Sequence, residues 1–414
     1  MTRSENDRAV TSKPGLSLVQ ANMMIARLSR QHVDIFSGRE NFDLPVEPEM
    51  RVETVFPRHA LSLMINNENV SHLAVYDLQQ QIGPHLVRMG GVAGVGTHAD
   101  HRFKGYSRRV MVNSLRWMRR EGFDVSMLFG IPGFYPKFGF APVMPIPTMT
   151  VSLKDAELAR RGRLKFVEFT DDRLRDVLSL YHATHAGRTG IIHRDHRTWV
   201  PFRRNKSWGL RTRVLVGVDG RRKAQAYFAC DLAQDASVVE TGYSSPAVFG
   251  DLLRATADVA SSARAGSISF RLPPDDAFIA WCRSFGLTQE TIYKRDSGGQ
   301  VRMINIPSTL GKVAPLLASR LAARGSRAGE LTIRTNLEDV GLRWSRGKLA
   351  VGKPSSAGQW VRLPQWALAQ LLYGHRSVDT LLAAGQVTGS KAGLKSLDAM
   401  LPPCEHFLCP LDLF

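Results

Sequence analysis

The stretch from Met89 to Arg120 constrains this chain more than any other. It reads Met89-Gly-Gly-Val-Ala-Gly-Val-Gly-Thr97, then His98-Ala-Asp-His-Arg-Phe-Lys-Gly-Tyr-Ser-Arg-Arg109, then an amphipathic run to Arg120. The first part is apolar and small, with glycines at 90, 91, 94 and 96. Glycine weakens a strand interior, so a strand this rich in it implies that a backbone or a ligand comes close. The last part sets Val110, Met111, Ser114, Leu115 and Met118 on one face at helical spacing, which predicts a helix from about Ser107 to Arg120 that stops at Gly122. The order is therefore strand, turn, helix N-terminus. The first N–H groups of a helix lack intrahelical partners and sit at the positive end of its dipole, so such a turn suits phosphate. Gly105 lets the backbone approach a diphosphate with no Cβ in the way. Arg102, Lys104, Arg108, Arg109, Arg116, Arg119 and Arg120 add positive charge, and no acid lies among them. The turn is not a P-loop, because G-x-x-x-x-G-K-[ST] is absent. Gly91-x-x-Gly94-x-Gly96 has the wrong order for a dinucleotide fingerprint.

With 414 residues the chain is too long for one ordinary domain. Its hydrophobic fraction of 43% and charged fraction of 22% suit a globular protein with a sizeable core. There is no run of 18 apolar residues to span a bilayer, and the polar start, Met1 to Leu18, lacks a signal-peptide core. The expectation is a cytoplasmic protein with no membrane partner. Cys230, Cys282, Cys404 and Cys409 are too few for a disulfide scaffold and read as buried thiols. The net charge of +18 favours anionic partners. The basic residues are scattered, however, and no nucleic-acid signature accompanies them, so nucleic acid is disfavoured.

Residues 1–15 read as a disordered lead, and three regions follow. The first, 16–147, ends in Pro142, Pro145 and Pro147. The second, 148–306, has strand-like runs at Thr148–Leu153, Val214–Val218 and Ala224–Cys230 and a helical stripe near Val248–Ala260. The third, 307–414, has strand-like Leu331–Thr335, Leu342–Trp344 and Lys348–Val351. A helix near Pro364–Tyr373 then ends at Gly374. Strands alternating with helices predict an α+β class with mixed α/β layers.

Arg102-Phe-Lys-Gly105-Tyr-Ser107 resembles the [QR]-x-x-G-x-[GA] acetyl-CoA turn of the GNAT acetyltransferases. Ser107 departs from the usual final Gly or Ala, a small change that still allows close approach. Downstream, Gly130-Ile-Pro-Gly-Phe-Tyr135-Pro-Lys-Phe-Gly-Phe-Ala-Pro142 resembles the aromatic–glycine segment of the enhanced intracellular survival branch of those enzymes. The resemblance implies tandem GNAT-like folds, the second degenerate, followed by a sterol-carrier-protein-2-like domain. It places acetyl-CoA along Val95, Gly96 and Thr97, with its diphosphate on Phe103, Lys104, Gly105, Tyr106, Ser107 and Arg108. Gly130 and Ile131 would flank the pantetheine arm. It implies Tyr135 as the general acid at the CoA sulfur, and the α-carboxylate of Phe414 as the base. The apolar ending Pro410-Leu-Asp-Leu-Phe414 is consistent with a docked tail, since loose termini are usually polar and frayed. Asp412 and Glu405 are rival carboxylates. In the second region Arg188, Gly190, Arg194 and Trp199 resemble the opening of the degenerate domain. The third region, with Gln365–Gly374 and Gly385, resembles the carrier domain, which would supply the terminus rather than carry lipid. The implied acceptor is an amine of an aminoglycoside, a polyamine or a lysine. The implied assembly is a homo-oligomer, a hexamer being compatible with it.

Rival constellations are weaker. His182, His185, His193 and His196 have metal-like spacing but lie among arginines, and Cys404, His406 and Cys409 lack a fourth ligand, so no metal is expected. Asp171, Asp172, Asp275 and Asp276 read as caps or loop charges. Ser126 and Ser244 have no evident His–Asp partners. Two other classes stay open: a lipid or sterol carrier built on the third region, and a non-catalytic regulator that senses CoA.

Overall fold

The computed structural model describes residues 44, 46–197, 199, 202, 212–232, 237–356 and 358–414. The expected lead over 1–15 lies outside the described residues. Among the described residues the architecture is mixed α and β, with three sheets. The first half of the chain supplies β1 (Glu49–Val55), β2 (Arg58–Ile65), β3 (Glu68–Ile82), β4 (His85–Thr97), β5 (Val125–Gly130) and β6 (Ala141–Pro142). The chain then supplies β7 (Ile146–Ser152), β8 (Lys165–Glu168), β9 (Thr212–Val218), β10 (Ala224–Asp231), β11 (Ser237–Tyr243), β12 (Ser267–Phe270), β13 (Leu287–Ile292) and β14 (Gly298–Met303).

The first sheet has the order β1-β2-β3-β4-β5-β14-β6, and the second β13-β7-β12-β11-β10-β9-β8. The two are built alike. In each, an antiparallel meander meets one parallel neighbour, β4 with β5 and β11 with β12. A parallel pair needs a crossover, and a helix makes it both times. Those helices are α1 (Tyr106–Arg120) and the segment Phe249–Ser262. Next to each parallel pair sits an antiparallel strand: β14 pairs with β5, and β7 pairs with β12. β14, from the end of the second region, thereby completes the first sheet.

The third sheet, β17-β16-β15-β18-β19, comprises β15 (Ala328–Arg334), β16 (Val340–Ser345), β17 (Lys348–Gly352), β18 (Gln359–Arg362) and β19 (Thr388–Gly389). Its core is continuous with one face of the first sheet. Met89, Val125, Met127, Val301 and Met303 join Leu331, Leu342, Leu368 and Leu397 in one cluster. Polar side chains on the helix Gln365–Leu372 fix the register of that contact. Gln365 accepts from Met303 N at 2.9 Å and donates to Gly139 O at 2.6 Å, and Gln370 donates to Pro142 O at 2.8 Å. Each of these backbone groups needs a partner once it is buried. The other face of the first sheet packs on α1 through Leu63, Val92, Leu128, Val110, Leu115 and Met118. The first sheet is thereby the middle layer, and the site lies in its plane.

Candidate active site

The site forms where β4 and β5 part. They pair over Met89–Val92 and Val125–Leu128, and no register continues beyond that among the described residues. β4 runs on to Thr97 against β3 alone. There Gly96 faces His72 and Ala93 faces Ala74, so Gly94 and Val95 together oppose Leu73. Gly94 adopts φ +58°. Such a bulge bends its strand and takes a residue out of the ladder. The outcome is a wedge between Val95, Gly96 and Thr97 on one side and Phe129, Gly130 and Ile131 on the other.

The glycines of β4 mostly make room for side chains of this chain rather than for a ligand. Met118 Sδ occupies the space beside Gly90, the Phe414 ring that beside Gly91, and the His72 ring that beside Gly96. A Cβ on Gly94 would meet open space.

The turn leads into α1 through Gly105, whose φ of +88° demands glycine. Arg109 N makes the first helical bond, to Gly105 O at 3.0 Å. Tyr106, Ser107 and Arg108 precede that bond, and no described side chain caps the helix start. Phe103 is fully exposed at φ +63°. Tyr106 is buried, and its hydroxyl donates to Val46 O at 3.2 Å, so toward a ligand it has only its backbone to offer. Lys104 Nζ donates to Asp100 O at 2.7 Å. The expected run of seven cations does not act as one group. A helix of 15 residues is about 22 Å long, so Arg116, Arg119 and Arg120 stand far from the turn. Arg119 instead holds Glu338 at 2.9 Å, and Arg109 pairs with Glu47. Arg102, Lys104 and Arg108 are left as the nearest positive charge.

Tyr135 opens a short 3-10 turn, Tyr135–Phe138, whose end is held by Arg302 donating to Phe138 O. Its ring lies against Gly130, where a Cβ would come within 2.5 Å of it. Phe134 and Phe140 flank the ring at 5.0 and 6.3 Å. Burial pushes the phenol above its ordinary value. Ile131, two residues past Phe129, is exposed. The Phe414 ring sits on Gly91, with Tyr76 at 6.2 Å and Phe129 at 5.6 Å.

Strand alternation then places the two groups relative to the sheet. Met89 and Gly91 share a face with Val125, Met127 and Phe129, and Phe414 packs on that face. Val92 and Leu128 share the opposite face, and Tyr135 packs there. Tyr135 and Phe414 therefore pack on opposite faces of the sheet beside the split.

The rival groups are committed elsewhere. Asp412 is buried and bound by Arg194, whose Nε donates to Oδ1 at 2.8 Å. Glu405 is raised by burial and lies in the field of Asp275 and Arg188. Ser126 Oγ donates to Gly90 O, and Ser244 Oγ to Gln225. Asp276 caps the helix Ala277–Cys282. His182 and His193 stack flat, 4.5 Å apart. Among the described residues no group of three or more His, Cys, Asp or Glu is placed to hold a metal. In the second sheet, the stretch before the helix Phe249–Ser262 carries no basic turn, and that helix has Asp251 in its first turn, which would repel phosphate.

Gln300 of β14 was not foreseen. Its amide and the Tyr135 ring both fill the space beside Gly130, the residue is fully buried, and its Oε1 has no partner among the described residues. Nothing local in the sequence signals it, because it lies 170 positions after Gly130 (300 minus 130).

Residues 42–143 match the acetyltransferase (GNAT) domain. That stretch is therefore similar to a GNAT acetyltransferase domain. Residues 322–410 match the sterol carrier protein domain. No curated protein matches the sequence. Similar solved structures include a probable N-acyltransferase from Enterococcus faecalis V583, at TM-score 0.72 and 15% identity over 86% of this chain and 90% of that one. A GCN5-related N-acetyltransferase from Anabaena variabilis matches at TM-score 0.68 and 16% identity, over 86% and 89%. Eis1 from Mycobacterium abscessus matches at TM-score 0.58 and 15% identity, over 95% and 97%. At these identities the likeness is one of fold. The GNAT domain supports acyl transfer in general.

Proposed function

We propose that this protein is an N-acetyltransferase of the enhanced intracellular survival type, which moves the acetyl group of acetyl-CoA directly onto an amine. The observation that carries this reading is the split between β4 and β5. It opens toward the start of α1 and has Tyr135 on one face and Phe414 on the other.

Acetyl-CoA lies along Val95, Gly96 and Thr97. Its diphosphate rests on the backbone of Phe103, Lys104, Gly105, Tyr106, Ser107 and Arg108, and Gly130 and Ile131 flank the pantetheine arm. The amine attacks the thioester carbon from the Phe414 face. A C–N bond forms as the C–S bond breaks. The Phe414 carboxylate takes the amine proton, directly or through a water, and Tyr135 gives its proton to the departing thiolate. Products are the amide and CoA. A general acid must be protonated to act, and the raised phenol of Tyr135 meets that need at neutral pH. A free α-carboxyl titrates at roughly 3.3–3.7, low for a base, so burial or a water relay would have to assist the transfer. The N–H of Val95, displaced from the ladder by the bulge, polarises the thioester carbonyl. The aromatic faces of Tyr76, Phe129 and Phe414 also suit a cationic acceptor. That acceptor is an aminoglycoside, polyamine or lysine-type amine. The protein works in the cytoplasm as a homo-oligomer, with a hexamer as the assembly that the branch suggests.

The test is thiol release from acetyl-CoA over a panel of such amines. Turnover with at least one class is expected. Tight acetyl-CoA binding with no turnover on any amine would replace the enzyme with a CoA-sensing regulator.

A further inference from the structure

The C-terminal tail is gripped by groups that the catalytic reading does not use. Arg194 is buried, and its side chain is wholly out of solvent. Its Nε and Nη2 donate to the two carboxylate oxygens of Asp412 at 2.8 and 2.9 Å. Its Nη1 and Nη2 donate to the two oxygens of Glu240 at 2.8 and 2.6 Å. The guanidinium lies over the rings of Tyr181 and Trp199 at 3.8 and 4.0 Å. Tyr181 donates to Asp412 Oδ2 at 3.0 Å. Tyr227 and Cys409 both donate to Glu240 at 2.6 Å.

Arg194 follows a segment that lies between the first sheet and the tail. Gly190 N donates to Gln81 O, Gln81 N to Ile191 O and His193 N to Gln79 O, at 2.8–2.9 Å, which fastens the segment to β3. On its other side Phe407 N donates to Thr189 O at 2.9 Å. The same β3 carries Tyr76, directly opposite Gly91. From Asp412 the chain has two residues left, at most about 7 Å of reach. Where Asp412 is held decides where the terminus can go.

We propose that Arg194 and Asp412 form a positioning clasp that sets the Phe414 carboxylate in the split, so that the degenerate second domain serves the first by holding the chain's end. The proposal rests on the reading of Phe414 as the base. One buried cation needs one carboxylate, and Glu240 already meets it with both oxygens. At Glu240 burial opposes the charge, but Arg194 outweighs it and the carboxyl lies below its ordinary value. At Asp412 burial prevails and the carboxyl lies above. The Asp412 carboxylate is thus surplus to the burial of Arg194, and the residue that supplies it belongs to the tail.

The test is Asp412→Asn in the full chain, which keeps the shape and leaves Arg194 with Glu240. Release of Phe414 by carboxypeptidase A reads the grip, and thiol release from acetyl-CoA reads its consequence. Release should quicken by about tenfold, the loss of one charge-assisted bond of roughly 1.5 kcal/mol. The kcat should fall on the order of 10-fold to 10²-fold with the acetyl-CoA KM held within about twofold. In a chain lacking Phe414 the substitution should cost nothing more. Tyr181→Phe keeps the ring under Arg194, removes one bond to Asp412 and gives a milder version of the same changes should Asp412→Asn fold poorly. Unchanged release in a folded variant overturns the clasp and leaves the base assignment standing. Faster release with undiminished kcat overturns the positioning role together with the base assignment. An equal loss of kcat with and without Phe414 also overturns it, since the pair would then not act through the terminus.

Discussion

A single methyl on Gly91 should cripple turnover by displacing the Phe414 ring. A Cβ there would lie 2.8 Å from Cε2 and Cζ of Phe414 and 2.9 Å from Cδ2. Carbon atoms pack best at about 3.5–4.0 Å, so the ring must retreat by roughly 1 Å. The strand cannot give way instead, because Gly91 is paired with Tyr76 on β3 and with Met127 on β5. Overpacking of this kind costs about 1–3 kcal/mol. A reacting group displaced by about 1 Å can lose on the order of 10² in rate. The assay is thiol release at saturating acetyl-CoA, with urea unfolding run beside it. Gly91→Ala should lose stability in that range and lower kcat by about 10²-fold, leaving the acetyl-CoA KM nearly unchanged. Adding Phe414→Ala vacates the space and keeps an α-carboxylate, so most of the lost stability should return. Gly90→Ala is the contrast, because its Cβ would meet Met118 of α1 on the opposite face. Its effect should fall on the acetyl-CoA KM. Native kcat in Gly91→Ala would refute the reasoning, since the terminal ring would then be indifferent to where it sits.

Three further outcomes follow from the geometry. Gly105→Ala forces a β-carbon into the left-handed region at a cost of roughly 1–2 kcal/mol, and should raise the acetyl-CoA KM about tenfold or more in steady-state kinetics. Tyr135→Phe should lower kcat by about 10²–10⁴-fold. Because burial raises the phenol, its proton stays on to at least pH ~10, so a pH–rate profile should show no alkaline loss from this group below that point. Burial also lowers His185 and His406 to about 3, and His182 and His375 to about 4. These histidines fold neutral and take up protons near pH ~6.5 once unfolded. The stability they lend is whole above that value and is lost as the pH falls through their folded values. The urea midpoint should therefore fall steadily between pH ~6.5 and about 4, and a flat midpoint across that window would contradict the burial of these rings.

The local parts of this design were legible in the sequence. The helix expected from Ser107 appears as Tyr106–Arg120, with Gly122 at φ +76° just beyond it. The runs read as strands at 214–218 and 224–230 are β9 and β10, and the helix read at 364–373 is Gln365–Leu372. Periodicity and capping are encoded within a few residues, so one sequence suffices to see them. The long-range parts were not legible. Nothing near Gly298–Met303 says that this strand inserts between β5 and β6, or that it brings Gln300 beside Gly130. The glycines of β4 were read as space for a ligand, and at positions 90, 91 and 96 that space belongs to Met118, Phe414 and His72. The charge run over 102–120 was read as one field, yet a helix carries its far end away from the turn. Asp412 was set beside Phe414 as a rival base. Its partner Arg194 stands 218 positions earlier, and only the folded chain brings the two together.

The central claim is that the chain's own end acts in the split between β4 and β5. Its most direct test is thiol release from acetyl-CoA with a reactive amine, comparing the native chain with one lengthened by two residues after Phe414. The lengthened chain keeps every side chain and moves only the α-carboxylate. It should bind acetyl-CoA as the native chain does and turn over on the order of 10² times more slowly. Equal turnover in both would contradict the account.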